Sequence, residues 1–153
     1  MQSEELFEKL KEEMLRSRRY KHALSAILLD VDEFHKINEK FSYQTGDRVL
    51  SVIVKIIQKT IRGVDILTRY SIDRFLIILP NTNRREAVEL AERLRENVEK
   101  RTALIDDLPA GVTITLSAGQ SHADVNSSDF MRRLENTLIE GKKRQRNKIY
   151  IME

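Results

Sequence analysis

Residues 69–80 read RYSIDRFLIILP. Strand-forming residues flank a short polar stretch, and a proline closes the second run. The pattern predicts two strands, over 64–70 and 74–79, joined by a tight hairpin. Upstream lie RGVD (62–65) and ILLDVD (27–32). Acids at a strand end, facing another acid on a hairpin, form a pattern that can hold a divalent cation against phosphates. Here an arginine, Arg74, stands directly beside the hairpin acid Asp73.

Working outward, LSAILLDV (24–31) reads as a buried strand ending in acids, and VTITLSAG (112–119) as a strand with β-branched alternation. KIYIM (148–152) closes the chain as a last strand. Leu6, Leu10 and Met14 share one face of an opening helix over about 3–19. A short helix is expected through Ile37. Gly46 and Asp47 then precede a long helix carrying Val49, Ile53, Ile56 and Ile57. Asn83 with Glu86 resembles a capping box, followed by the stripe Ala87, Leu90, Ala91, Leu94 and Val98. A final helix is expected over 127–143. The order α-β-α-α-β-β-α-β-α-β predicts an α/β (α+β) fold, a mixed five-stranded sheet flanked by helices.

The totals agree with one domain, 1–153. The chain has 153 residues, 41% hydrophobic and 33% charged, with net charge +3. That excess tolerates anionic ligands without implying nucleic acid. With no cysteine, disulfides, thiolate metal sites and cysteine nucleophiles are excluded, and three scattered histidines argue against a histidine metal cluster. The longest apolar run, Phe75–Leu79, is too short to span a bilayer. The charged N-terminus lacks a signal-peptide core, so a cytoplasmic location is expected.

Several separated motifs, in order, resemble the GGDEF domain, the family of diguanylate cyclases that condense two GTP molecules into the bacterial second messenger cyclic di-GMP. DVDEFHKIN (30–38) resembles D-x-D-x-F-K-x-x-N, TGDRVL (45–50) a G-D segment, RYSIDRF (69–75) RYGGDEF, and EGKKRQRNKI (140–149) A-K-x-x-G-R-N-R. The likeness runs from about Glu4 to Ile151 and implies a nucleotidyl-cyclase palm-like fold. The D-x-L-T-G-L-x-N-R segment that usually precedes the first helix is missing, so the chain is expected to be part of a longer signalling protein.

The resemblance implies that Asp30, the Val31 carbonyl and the hairpin acids would hold magnesium. Asp30 and Asp73 remain, but Arg74 replaces the second hairpin acid with a charge that cannot be deprotonated. Ser71 and Ile72 replace two glycines that reach positive φ without steric cost. His35, Ser42 and Tyr43 depart from the family pattern around the same pocket. Asn38 and Asp47 match guanine-binding positions, and Lys142 and Arg146 match residues near the triphosphate. Read without the family, Asp30, Asp32 and Asp47 also suit helix caps, and the basic run 142–148 suits a helix C-terminus. The expectation is no cyclase activity (not an enzyme), no magnesium, a vestigial GTP site, and Arg74 paired with Asp30 or Asp73 where a metal would sit.

The family often carries a product-inhibition site, R-x-x-D, five residues before the hairpin motif. Arg62 and Asp65 hold that spacing, since ILTRY separates RGVD from SIDRF. An arginine fork suits guanine O6 and N7, and a carboxylate suits N1–H and the exocyclic amine. Both side chains are expected to point outward to one ligand. The resemblance adds Arg93, and Arg16 from the first helix of a partner domain. Outside the family context the same motif is a surface ion pair worth about 0–1 kcal/mol. The expected function is a cyclic di-GMP receptor that bridges two domains, as a homodimer or with a fused or partner signalling domain. A non-nucleotide interaction or dimerisation module and a domain with residual GTP binding are the alternatives.

Overall fold

The structure, a computed structural model, describes residues 3–153. Its elements are α1 (Ser3–Tyr20), β1 (Leu24–Val31), α2 (Phe34–Lys40), α3 (Tyr43–Thr60), β2 (Ile66–Arg69), β3 (Arg74–Pro80), α4 (Arg84–Ala103), β4 (Ile114–Gln120), α5 (Ser127–Arg144) and β5 (Ile149–Ile151). The sheet runs β2-β3-β1-β4-β5, antiparallel except for the β4–β5 pair. The expected mixed five-stranded sheet and its order of elements are therefore present.

Central β1 is buried at every position because helices cover both sheet faces. Its odd side chains (Ile27, Leu29, Val31) enter a core with α2, α3 and α4. Its even ones (Leu24, Ala26, Leu28) enter a second core with α1 and α5. Alternation along a strand makes this two-sided burial possible, and it fixes a consequence. Asp30 shares the parity of Leu28 and therefore emerges on the α5 side, at the strand's end.

Several boundaries differ from expectation, α2 among them, which runs on to Lys40 rather than ending at Ile37. The α3 helix begins before Gly46, because the Ser42 hydroxyl caps it by accepting from the Thr45 amide at 3.0 Å. Gly46 lies inside the helix, where a Cβ would run into Asn38 Oδ1 of α2. Strand β2 begins only at Ile66, since Arg62–Asp65 closes as a turn with the Asp65 amide donating to the Arg62 carbonyl at 3.1 Å. Strand β4 begins at Ile114 rather than Val112. The Asn83–Glu86 capping box forms as expected, both halves at 2.9–3.0 Å. Among the described residues, no helix is long and apolar enough to cross a membrane.

Candidate functional site

The hairpin closes without glycine. Positive-φ non-glycine residues are Lys21, Glu33, Asn81 and Asn147, so neither Ser71 nor Ile72 adopts left-handed backbone. Arg69 closes the loop instead, donating to the carbonyls of Ser71 (3.1 Å) and Ile72 (2.6 Å) while its guanidinium stacks on Phe75. The Tyr70 hydroxyl donates to Glu135 on α5, fixing the hairpin's other side. Burial pushes the Glu135 carboxyl above its ordinary value. Ile72 itself points out, 69% exposed.

This hairpin delivers Arg74 to β1. Asp30 and Arg74 face each other in strand register, and Arg74 Nε donates to Asp30 Oδ2 at 3.2 Å. Lys142, in the last turn of α5, donates to the same oxygen. The Asp30 side chain is only 2% exposed, and its Oδ1 is buried without a hydrogen-bond partner. Asp73 lies beside the pair. Its carbonyl accepts from the Val31 amide at 3.0 Å, and burial, followed by the Asp30 charge, raises its carboxyl above the ordinary value.

Asp32 is a structural anchor. It accepts from Thr113 Oγ1 (2.7 Å), Thr115 Oγ1 (2.6 Å) and the Asn147 amide (3.1 Å), joining β1, β4 and the α5–β5 turn. Asn147 takes a positive φ of 58° there, a conformation asparagine tolerates. Next to it Arg146 donates to Glu33 at 3.0 Å. This clamp helps set the α5–β5 turn close behind Lys142.

The guanine-matching positions Asn38 and Asp47 lie on the neighbouring helices α2 and α3. Asn38 lies against Gly46 with its Oδ1 buried and unpartnered. Asp47 is exposed and lines a cleft of about 400 Å³ with Lys55, Gln58, Arg69 and Phe75. His35 and Tyr43 are exposed. Sequence reasoning missed Arg69, Thr113 and Thr115. The T-x-T alternation, placing both hydroxyls on one strand face, was the available signal for the last two.

A magnesium ion wants several hard oxygen ligands in octahedral geometry. Here one oxygen of Asp30 is committed to two nitrogen cations, and the acid's neighbour in the hairpin is a guanidinium. Among the described residues no group of three or more His, Asp or Glu could hold a metal ion. As arranged, these side chains do not fit that ion.

At the second site, Asp65 is turned inward, its side chain 1% exposed. It accepts from the Arg62 amide (2.8 Å), Nε (3.3 Å) and a terminal nitrogen (2.9 Å), which also donates to the Pro80 carbonyl and Thr82. The expectation that both side chains point outward is corrected for Asp65. A carboxylate one turn from a guanidinium and a backbone amide is satisfied locally. The hydrogen bond to Asp65 raises the Arg62 pKa. Arg93 and Arg62 line one cleft of about 180 Å³ with Thr60, Glu86 and Glu89. Arg93 has no ion pair or hydrogen bond among the described residues. Arg16 is elsewhere, paired with Glu13 at 3.5 Å in a cleft of about 500 Å³ between α1 and the start of β2.

Helices on both faces of this sheet, with acids at the end of β1 against a β2–β3 hairpin, define a nucleotidyl-cyclase palm-type domain. The chain belongs to the GGDEF family: residues 4–148 match the family described as diguanylate cyclase, GGDEF domain. It is 32% identical to diguanylate cyclase A of Treponema denticola over 84% of this chain and 35% of that protein. It is 34% identical to the probable diguanylate cyclase DgcT of Escherichia coli, over 83% of this chain and 29% of that one. The chain thus spans about a third of the length of these relatives. The active GGEEF domain of a diguanylate cyclase from Vibrio cholerae superposes with a TM-score of 0.87 at 27% identity, over 98% of this chain and 96% of that chain.

These relatives correct the expectation that the chain is not an enzyme. Proteins named as diguanylate cyclases align across most of it, so the chain falls in a family of enzymes. The expected tight hairpin forms, and it closes on Arg69 with neither Ser71 nor Ile72 at positive φ.

Proposed function

We propose that this is the GGDEF domain of a diguanylate-cyclase-class signalling protein and that it binds cyclic di-GMP at the Arg62–Arg93 cleft. The observation that carries the reading is the pair of arginines on one cleft. Arg62 is locked by buried Asp65, while Arg93 has no partner among the described residues. A preorganised guanidinium suits the O6 and N7 edge of guanine. Asp65 then acts by holding Arg62 rather than by facing the ligand. With two guanines per ligand, one molecule can bridge two domains.

Calorimetric titration with cyclic di-GMP tests the reading. Micromolar or tighter binding is expected, lost in Arg93→Ala, whose exposed side chain makes no hydrogen bond or ion pair among the described residues. A wild-type titration without heat sinks the receptor assignment and leaves the interaction-module reading. Product analysis after incubation with GTP and Mg²⁺ or Mn²⁺ tests the enzyme class separately. Cyclic di-GMP formed supports it, and GTP recovered unchanged counts against it.

A further inference from the structure

We propose that Arg74 and Lys142 form a built-in cationic anchor on Asp30 that holds the phosphates of a guanine nucleotide without a divalent metal. Asp30 is buried, and a buried carboxylate needs a cation close by. Two nitrogen cations supply it, one from the β2–β3 hairpin and one from α5. With Asp73 alongside, two carboxylates meet two fixed cations, so the site reaches formal neutrality before any ion arrives.

The anchor's geometry favours an anion as the next ligand. Arg74 uses only Nε on Asp30, and its two terminal NH2 groups make no hydrogen bond among the described residues. Its side chain is 25% exposed and that of Lys142 24%, enough for both to be reached from outside. A guanidinium fixed through Nε presents its remaining donors as a fork, the geometry that grips two phosphate oxygens. Lys142 has spare ammonium hydrogens beside it. A phosphate seated there leaves the Asp30 contacts in place, whereas a metal on Asp30 Oδ2 would have to displace both cations.

The experiment is calorimetric titration of the whole chain with GTP, once with excess EDTA and once with excess Mg²⁺. The two affinities are expected to agree within about threefold. Arg74→Glu, which supplies an oxygen ligand in place of the fork, is expected to lose tenfold or more in EDTA (~1.4 kcal/mol) and to recover with Mg²⁺. Arg74→Gln, able to keep a hydrogen bond to Asp30 without the charge, is expected to lose metal-free binding while staying folded. Wild-type binding that needs Mg²⁺, no GTP binding under either condition, or unchanged metal-free binding in Arg74→Gln overturns the proposal. Because the probe is GTP, a silent cyclic di-GMP titration would sink the Arg62–Arg93 reading and leave this one standing.

Discussion

Asp30 and Arg74 sit opposite each other on β1 and β3, and Arg74 Nε lies 3.2 Å from Asp30 Oδ2. The pair joins the central strand to the hairpin at a point where the carboxylate has almost no access to water. Arg74→Ala would leave Asp30 with Lys142 as its cation. Chemical denaturation should show a loss of about 1–3 kcal/mol. A double-mutant cycle with Asp30→Asn should return a coupling of about 0.5–3 kcal/mol. Zero coupling would mean that Lys142 alone neutralises the buried charge.

Asp32 holds three elements at once through Thr113, Thr115 and the Asn147 amide. Asp32→Ala strands the buried Thr115 hydroxyl and the half-buried Thr113 hydroxyl and leaves the Asn147 amide on Thr115 Oγ1 alone, so a loss of about 2–4 kcal/mol is expected. Thr113→Val should cost less, about 0.5–1.5 kcal/mol, since one donor leaves and the other two remain. Hydrogen exchange at the Asn147 amide provides the specific readout. It should accelerate in Asp32→Ala far more than amides in the middle of α4 do.

Much of this was legible in the chain, for identifiable reasons. The apolar run in 24–31, the β-branched alternation in 112–119 and the capping box at Asn83–Glu86 are local signals, and each names its element. The meeting of Asp30, Asp73 and Arg74 at one end of the sheet followed from the family resemblance. Lys142 on Asp30 did not, because the contact spans 112 residues and depends on how α5 crosses the sheet. The inward turn of Asp65 is a rotamer choice set by the Arg62 amide one turn away, which spacing alone leaves open. Arg69 was invisible for a related reason: its carbonyl partners are backbone atoms that any residues at 71 and 72 would supply.

Gly141 tests the packing of α5 against the last strand. It is buried in α5, and a Cβ there would strike the root of the Tyr150 ring. Gly141→Ala gains helix propensity worth about 1 kcal/mol in an open helix. Overpacking of about 1–3 kcal/mol should outweigh it. The variant is expected to melt below wild type, and Gly141→Ala combined with Tyr150→Ser should melt above Tyr150→Ser alone. A simple gain in wild-type background would show that Tyr150 moves freely.

Asp73 sets the expected pH dependence. Burial, then the Asp30 charge, raises its carboxyl above the ordinary value of 3.8. The folded chain therefore holds this proton to higher pH than the unfolded chain does. Below 3.8 both states are protonated here and the group contributes no difference. As pH climbs above that value the unfolded chain ionises first, so stability falls until the folded carboxyl also ionises and is then level. Asp73→Asn removes this penalty. At pH 7 it should melt higher than wild type, by about 1–4 °C given the partial exposure of the side chain. The gap should close as the melts are repeated toward pH 4. A variant less stable than wild type at pH 7 would mean that attraction to Arg74 and Lys142 outweighs burial, reversing the sign of the effect.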